Sequence, residues 1–152
     1  MKRNARYLIG IAICIAVVSV GYVIYKPASP VLVQDSRPTA VLAGHTLHLL
    51  IANTPVLREQ GLSGRSGLSP DEGMLFTFDH DGEYAFWMKD MLFSIDIVWA
   101  ASDGSIVYIA QSASPDSYPE AFKPSIRARY VLELPAGWTK QNNVRVGDII
   151  HL

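Results

Sequence analysis

MLFTFDHDGEYAFWMKDMLFSIDIVWAASDGSIVYI, residues 74–109, reads as two β-hairpins in succession. In the first, Met74–Phe78 and Tyr84–Met88 flank the turn segment Asp79-His80-Asp81-Gly82-Glu83. In the second, Ile95–Trp99 and Ile106–Ile109 flank Ser102-Asp103-Gly104. All four runs are short and rich in β-branched and aromatic residues, which fit a pleated, half-buried surface.

The flanking sequence continues the pattern. Val41-Leu42 and Thr46–Ala52 form a further hairpin about Ala43-Gly44. Thr54-Pro55 predicts an N-cap with proline at the first helical position, and Gly61 ends that helix. Ser69-Pro70-Asp71-Glu72 has capping-box spacing, with Gly73 stopping the helix after one turn. Tyr130–Leu134 is another strand, and Val144–Val146, a turn at Gly147-Asp148 and Ile149–Leu152 finish the chain. Residues 112–125 carry Pro115, Pro119 and Pro124 and predict an irregular segment anchored by Tyr118 and Phe122. Such a segment is either a binding loop or a stiffened crossover packed on the domain. The parts add up to a mainly β domain, a compact antiparallel β-barrel or sandwich of seven to nine short strands with one short helix.

Ahead of that domain, Tyr7–Tyr25 contains no charged residue. As a helix it would span about 28 Å, close to the hydrocarbon thickness of a bilayer. Lys2, Arg3 and Arg6 in the stub of residues 1–6 place the N-terminus in the cytoplasm by the positive-inside rule. The expected organisation is a single-pass anchor at 7–25, a Pro-rich tether at 26–38 and an extracytoplasmic domain at 39–152, with the plasma membrane as its partner. The alternative is secretion after cleavage near Ser19-Val20-Gly21. Ala12-Ile13 before the lone Cys14 is a poor lipobox ending, and one cysteine excludes a disulfide scaffold.

The net charge of −1 hides an asymmetry. Four basic residues lie in the first 26 positions, so residues 27–152 hold 9 Lys and Arg against 14 Asp and Glu, a net −5. Phosphate recognition needs the opposite sign, so no nucleic-acid partner is expected.

Strand alternation divides each run into two faces. Taking Ile95, Ile97 and Trp99 and also Tyr130, Leu132 and Leu134 as core leaves Trp87, Lys89, Asp96, Arg129 and Glu133 on an outer face. That set is either an ordinary solvated sheet face with cross-strand ion pairs or a ligand surface of one indole and charges of both signs. Arg65, in the glycine-rich run Gly61–Gly67, braces carbonyls or binds a carboxylate. His45, His48, His80 and His151 lack metal-ligand spacing. Asp79-x-Asp81-Gly82 lacks the rest of a calcium loop, and no nucleophile elbow or phosphate loop occurs. No cofactor or metal is therefore expected.

Gly61-Leu62-Ser63-Gly64-Arg65, Asp71–Phe76, Phe86-Trp87-Met88-Lys89, Asp96-Ile97-Val98, Asp103-Gly104-x-Ile106-Val107, Tyr130–Leu134 with Ala136-Gly137, and Val146-Gly147-Asp148 together resemble a small prokaryotic family. It is known as domain of unknown function 192 (DUF192), and the resemblance covers about residues 46–152. It implies a compact, mainly β fold with a short helix and frequent export, but no activity, cofactor or catalytic residue. Asp90-Met91 departs from the Asn-Thr usual after Met-Lys, which alters the hydrogen bonding available there. The site residues that follow from both readings are Arg65, Trp87, Lys89, Asp96 and Glu133. The first expectation is a non-catalytic binding or accessory module of the cell envelope that takes a glycan or an envelope protein. The alternatives are an envelope-polymer hydrolase using Asp96 and Glu133, and a structural subunit of a membrane complex.

Overall fold

The structure, a computed structural model, describes residues 35–152. The expected anchor at 7–25 and most of the tether lie outside the described residues. Among the described residues no helix is long and apolar enough to cross a membrane.

Eight strands carry the fold: β1 (Thr39–Leu42), β2 (His45–Ala52), β3 (Glu72–Gly82), β4 (Phe86–Trp87), β5 (Ile95–Ala100), β6 (Ile106–Ala113), β7 (Ala121–Phe122) and β8 (Ala128–Pro135). Two short helices, α1 (Pro55–Gln60) and α2 (Trp138–Gln141), accompany them. Six strands form one sheet in the order β1-β2-β3-β8-β5-β6, while β4 and β7 make a separate two-stranded ribbon. The β1–β2 and β5–β6 hairpins lie where the sequence places them. Thr54 caps α1 by accepting from the Leu57 amide at 3.3 Å, and Pro55 opens the helix.

The chain end closes the sheet. Val41 exchanges both backbone hydrogen bonds with His151 (2.8 and 2.9 Å), on the free edge of β1. Ser105 bridges Ile149, and Ile150 donates to the Gly104 carbonyl at 2.9 Å beside the start of β6. Residues 149–151 thus stitch the first edge strand to the last, and the result is barrel-like. These bridges cover part of β1 and the start of β6, edge positions that would otherwise invite association.

Four expectations change. The sheet is not wholly antiparallel, because β2 and β3 run parallel and α1 lies in the connection between them. The segments 74–78 and 84–88 do not pair. β3 runs on to Gly82 and has β2 on one side and β8 on the other, so it offers no free edge. The chain instead folds over the sheet face, where Tyr84 stacks on Phe78 with ring centroids 3.5 Å apart, and β4 pairs with β7. Ser69–Glu72 is a turn, not a helix: the Glu72 carboxylate accepts from the Ser69 amide at 3.3 Å as a capping box would, but Glu72 enters β3. Trp138–Gln141, unassigned from sequence, forms α2.

Two apolar clusters result. Leu42, Leu47, Leu49, Leu75, Val98, Leu132 and Leu134 fill the inside of the sheet, with Trp138 and Ile150. Phe76, Ile97, Trp99 and Val131 line its outer face and are covered by Leu62, Met88 and Met91, with Phe86 and Phe122 of the ribbon. All six residues of β5 are therefore buried.

The closure makes a specific demand at Gly104. Its φ is +84°, and a Cβ there would lie 2.4 Å from the Ile150 carbonyl oxygen. Gly147 has φ +98° with nothing within 4 Å of a Cβ. Gly104→Ala should cost about 3 kcal/mol or more in thermal unfolding, and Gly147→Ala only about 1 kcal/mol. Equal losses would mean that the contact with the chain end contributes nothing.

Candidate functional site

The outer cluster is not fully packed. Between α1, the ribbon and the face of β3 and β8 lies a cavity of about 340 Å³. One wall is the run Arg58–Ser63, the end of α1 and its following turn. A second is Phe76 and Phe78, which strand alternation sets side by side on one face of β3. A third is Tyr84–Trp87 with Met91. Phe86 meets Phe76 edge-on at 4.8 Å and Trp99 at 5.8 Å, which fixes the ribbon against the barrel. The Trp99 indole donates to the Tyr84 carbonyl at 2.9 Å and holds the same segment from below.

Glu133 forms part of this cavity. It sits in the middle of β8 between Met74 and Ile97 in register, 6% exposed. Its Oε2 is buried and has no hydrogen-bond partner. Burial pushes its carboxyl up to about 8, so it holds its proton at neutral pH. At the mouth, Arg58 donates from Nη1 to the Thr77 carbonyl at 2.9 Å, with its guanidinium 5.1 Å from the Phe78 ring centre. Trp87 is 54% exposed.

Of the five residues singled out from sequence, the fold brings Trp87 and Glu133 together in the cavity and separates the other three. Lys89 is exposed, and its backbone carbonyl accepts from Ser63 Oγ at 2.9 Å. Arg65 lies 4.0 Å from the Glu72 carboxylate, which Arg37 also binds. Asp96 faces the opposite way from Glu133. It is opposite Leu134 in register, whereas Ile97 is opposite Glu133, so the two carboxyls lie on different faces of adjacent strands and form no acid–base pair.

The assumption that failed is that the more apolar set of each strand must be the only buried one. Ile97 and Glu133 share one face, and Val98 with Leu132 shares the other; both are covered. Asp96 is buried because its carboxylate is saturated. Oδ1 accepts from the amides of Ser112 (2.8 Å) and Gly137 (2.9 Å), and Oδ2 from the amide and hydroxyl of Thr139 (2.9 and 2.6 Å). It ties the end of β6 to the start of α2. Sequence reasoning missed Arg58, Phe76, Phe78 and Tyr84; the Phe76/Phe78 alternation facing a glycine-rich turn was the available signal.

The profile of DUF192, described as "Uncharacterized ACR", matches residues 39–152. The chain belongs to the DUF192 family. Among solved structures, this DUF192 domain is similar to a Sinorhizobium meliloti 1021 protein described as a candidate transcription regulator, with 36% identity, 74% of this chain and 89% of that chain covered, and a TM-score of 0.69. It is also similar to a Novosphingobium aromaticivorans DSM 12444 protein of unknown function, with 25% identity, 75% and 84% of the two chains covered, and a TM-score of 0.70. No curated protein matches the chain.

Asp96 and Glu133 should respond oppositely to amidation. Asp96→Asn would turn an amide NH2 toward at least one backbone N–H, losing at least one of the four hydrogen bonds and the charge that strengthens the rest, and costing about 3 kcal/mol or more in denaturant unfolding. Glu133→Gln should be neutral or stabilising. Below the ordinary carboxylate range both folded and unfolded chains hold the Glu133 proton. Above it only the folded chain does, up to about 8. Stability contributed by this group therefore falls by several kcal/mol as pH rises through that window and then levels off. Unfolding curves at a series of pH values should show that fall, and Glu133→Gln should remove it.

Proposed function

We propose that this DUF192 domain is a non-catalytic binding module whose ligand enters the cavity between α1, the β4–β7 ribbon and Glu133. The observation that carries this reading is an unpartnered, buried carboxyl inside an aromatic-walled cavity. An unsatisfied buried polar atom costs free energy that a sheet with no binding role would shed by substitution. Apolar walls with one convergent polar group are the usual make-up of a small-ligand site. The ribbon also supports it, since Trp87 opposite Ala121 joins the indole to the 112–125 segment, the two features expected to form a recognition surface.

In this reading residues 7–25 anchor the chain in the plasma membrane, and the domain works on the extracytoplasmic side, where envelope components are its ligands. A hydrolytic role through Asp96 and Glu133 is disfavoured by their placement on opposite sheet faces. A nucleic-acid role, raised by the description of the S. meliloti protein, fits poorly with the −5 charge of residues 27–152.

A thermal-shift screen of glycan fragments and small metabolites against the full chain tests the proposal. A compound should raise the melting temperature of the wild type, and Trp87→Ala should weaken its binding about tenfold or more, the loss of one aromatic wall. A ligand that binds Trp87→Ala and Phe78→Ala as tightly as wild type would place recognition elsewhere and overturn the proposal.

A further inference from the structure

We propose that the ligand of this cavity is an organic cation, an alkyl- or arylalkyl-ammonium group, held by the Glu133 carboxylate as counter-ion and by the rings of Phe76, Phe86 and Trp87. The inference rests on the reading of the cavity as a ligand site and adds the charge of what it takes.

Three observations favour a cation over a neutral or anionic guest. Among the polar residues that line the cavity, the buried one is an acid with an unpartnered oxygen. A neutral acceptor would need only a hydroxyl or amide donor there, without the burden of burying an ionisable group. Five aromatic residues stand in the walls, and ring faces carry the negative end of the quadrupole, which attracts ammonium groups most strongly where water is excluded. The protein already uses this attraction once, by setting the Arg58 guanidinium over Phe78. That guanidinium is committed to Phe78 and to the Thr77 carbonyl, so an anion entering the cavity would meet Glu133 with no free cation beside it. The acidic balance of residues 27–152 draws cationic guests toward the mouth.

Binding is then coupled to a proton. Glu133 is protonated when the cavity holds no ligand, and it must release that proton to solvent as the cation enters. The titratable groups that line the cavity with it are Arg58 and Glu59 of α1 and Tyr84 of the ribbon segment. Its cross-strand neighbours Met74 and Ile97 do not titrate. Further along the same face of β8, Arg129 is paired with Asp81 at 2.8 Å. The coupling is assigned to Glu133 because it is the buried carboxyl of the cavity with an unpartnered oxygen.

Isothermal titration of the full chain with choline and with phenethylamine, each beside its neutral isostere, tests this. Both cations should bind about tenfold or more tightly than the isosteres. Choline affinity should rise about tenfold per pH unit up to about pH 8 and then level. Buffers of different ionisation enthalpy should report about one proton released per choline bound below that point. Glu133→Gln should melt at or above the wild-type temperature, lose the pH dependence and weaken choline binding about tenfold or more. If phenethyl alcohol binds as tightly as phenethylamine, or if neither cation binds a folded chain, the inference is overturned. In the first case the binding module stands with a neutral guest. Loss of both readings requires, in addition, that every ligand in the wider screen ignore Trp87→Ala and Phe78→Ala.

Discussion

β5 is buried on both faces, and the architecture of the domain follows from that constraint. The inner face is satisfied by closing the sheet, which packs Val98 and Ala100 against Leu132, Leu134 and Leu42. The outer face, with Ile97 and Trp99, needs a separate cover, and among the described residues there is no long helix to supply it. The cover is improvised from the turn after α1, the 84–93 segment and the two-residue ribbon. Short irregular pieces do not fill space as a helix does. The cavity is the part of the outer face that this cover spans without touching.

Asp96 and Glu133 illustrate how similar burial can serve different ends. Asp96 receives four donors, three of them backbone amides, and with them fixes the end of β6 and the start of α2. One of those amides belongs to Ser112, which holds a left-handed backbone, φ 50°, to present it. Glu133 lies one strand away on the opposite face, and its Oε2 has no partner. A group that repays its burial with hydrogen bonds belongs to the scaffold. One that does not is the better candidate for meeting something from outside.

Much of this was legible in the residues. Turn chemistry at Ala43-Gly44 and Ser102-Asp103-Gly104 gave two hairpins, and Thr54-Pro55 gave the start of α1, because those signals are local. The 74–88 hairpin was misread for a non-local reason: its turn residues are sound, but both edges of β3 were already taken by distant strands. The faces of β5 and β8 were assigned by apolar content, which fails where both sides are covered and where an aspartate is buried by donors 16 to 43 residues away. Trp87 and Glu133 emerged from a faulty partition of faces; Arg65 and Lys89 were placed beside them by the same partition and lie elsewhere.

The ribbon holds β4 to β7 through only two residue pairs, Phe86 with Phe122 and Trp87 with Ala121. The barrel beneath is paired along six strands and stitched at its edges. The domain thus has two tiers of local stability, and the weaker one forms a wall of the cavity. Fluctuations that lift the ribbon expose the outer face while leaving the closed sheet untouched. Such a local opening would govern entry and exit of the proposed guest, whose affinity would then be tuned through residence time at Phe86 and Trp87 with little effect on global unfolding.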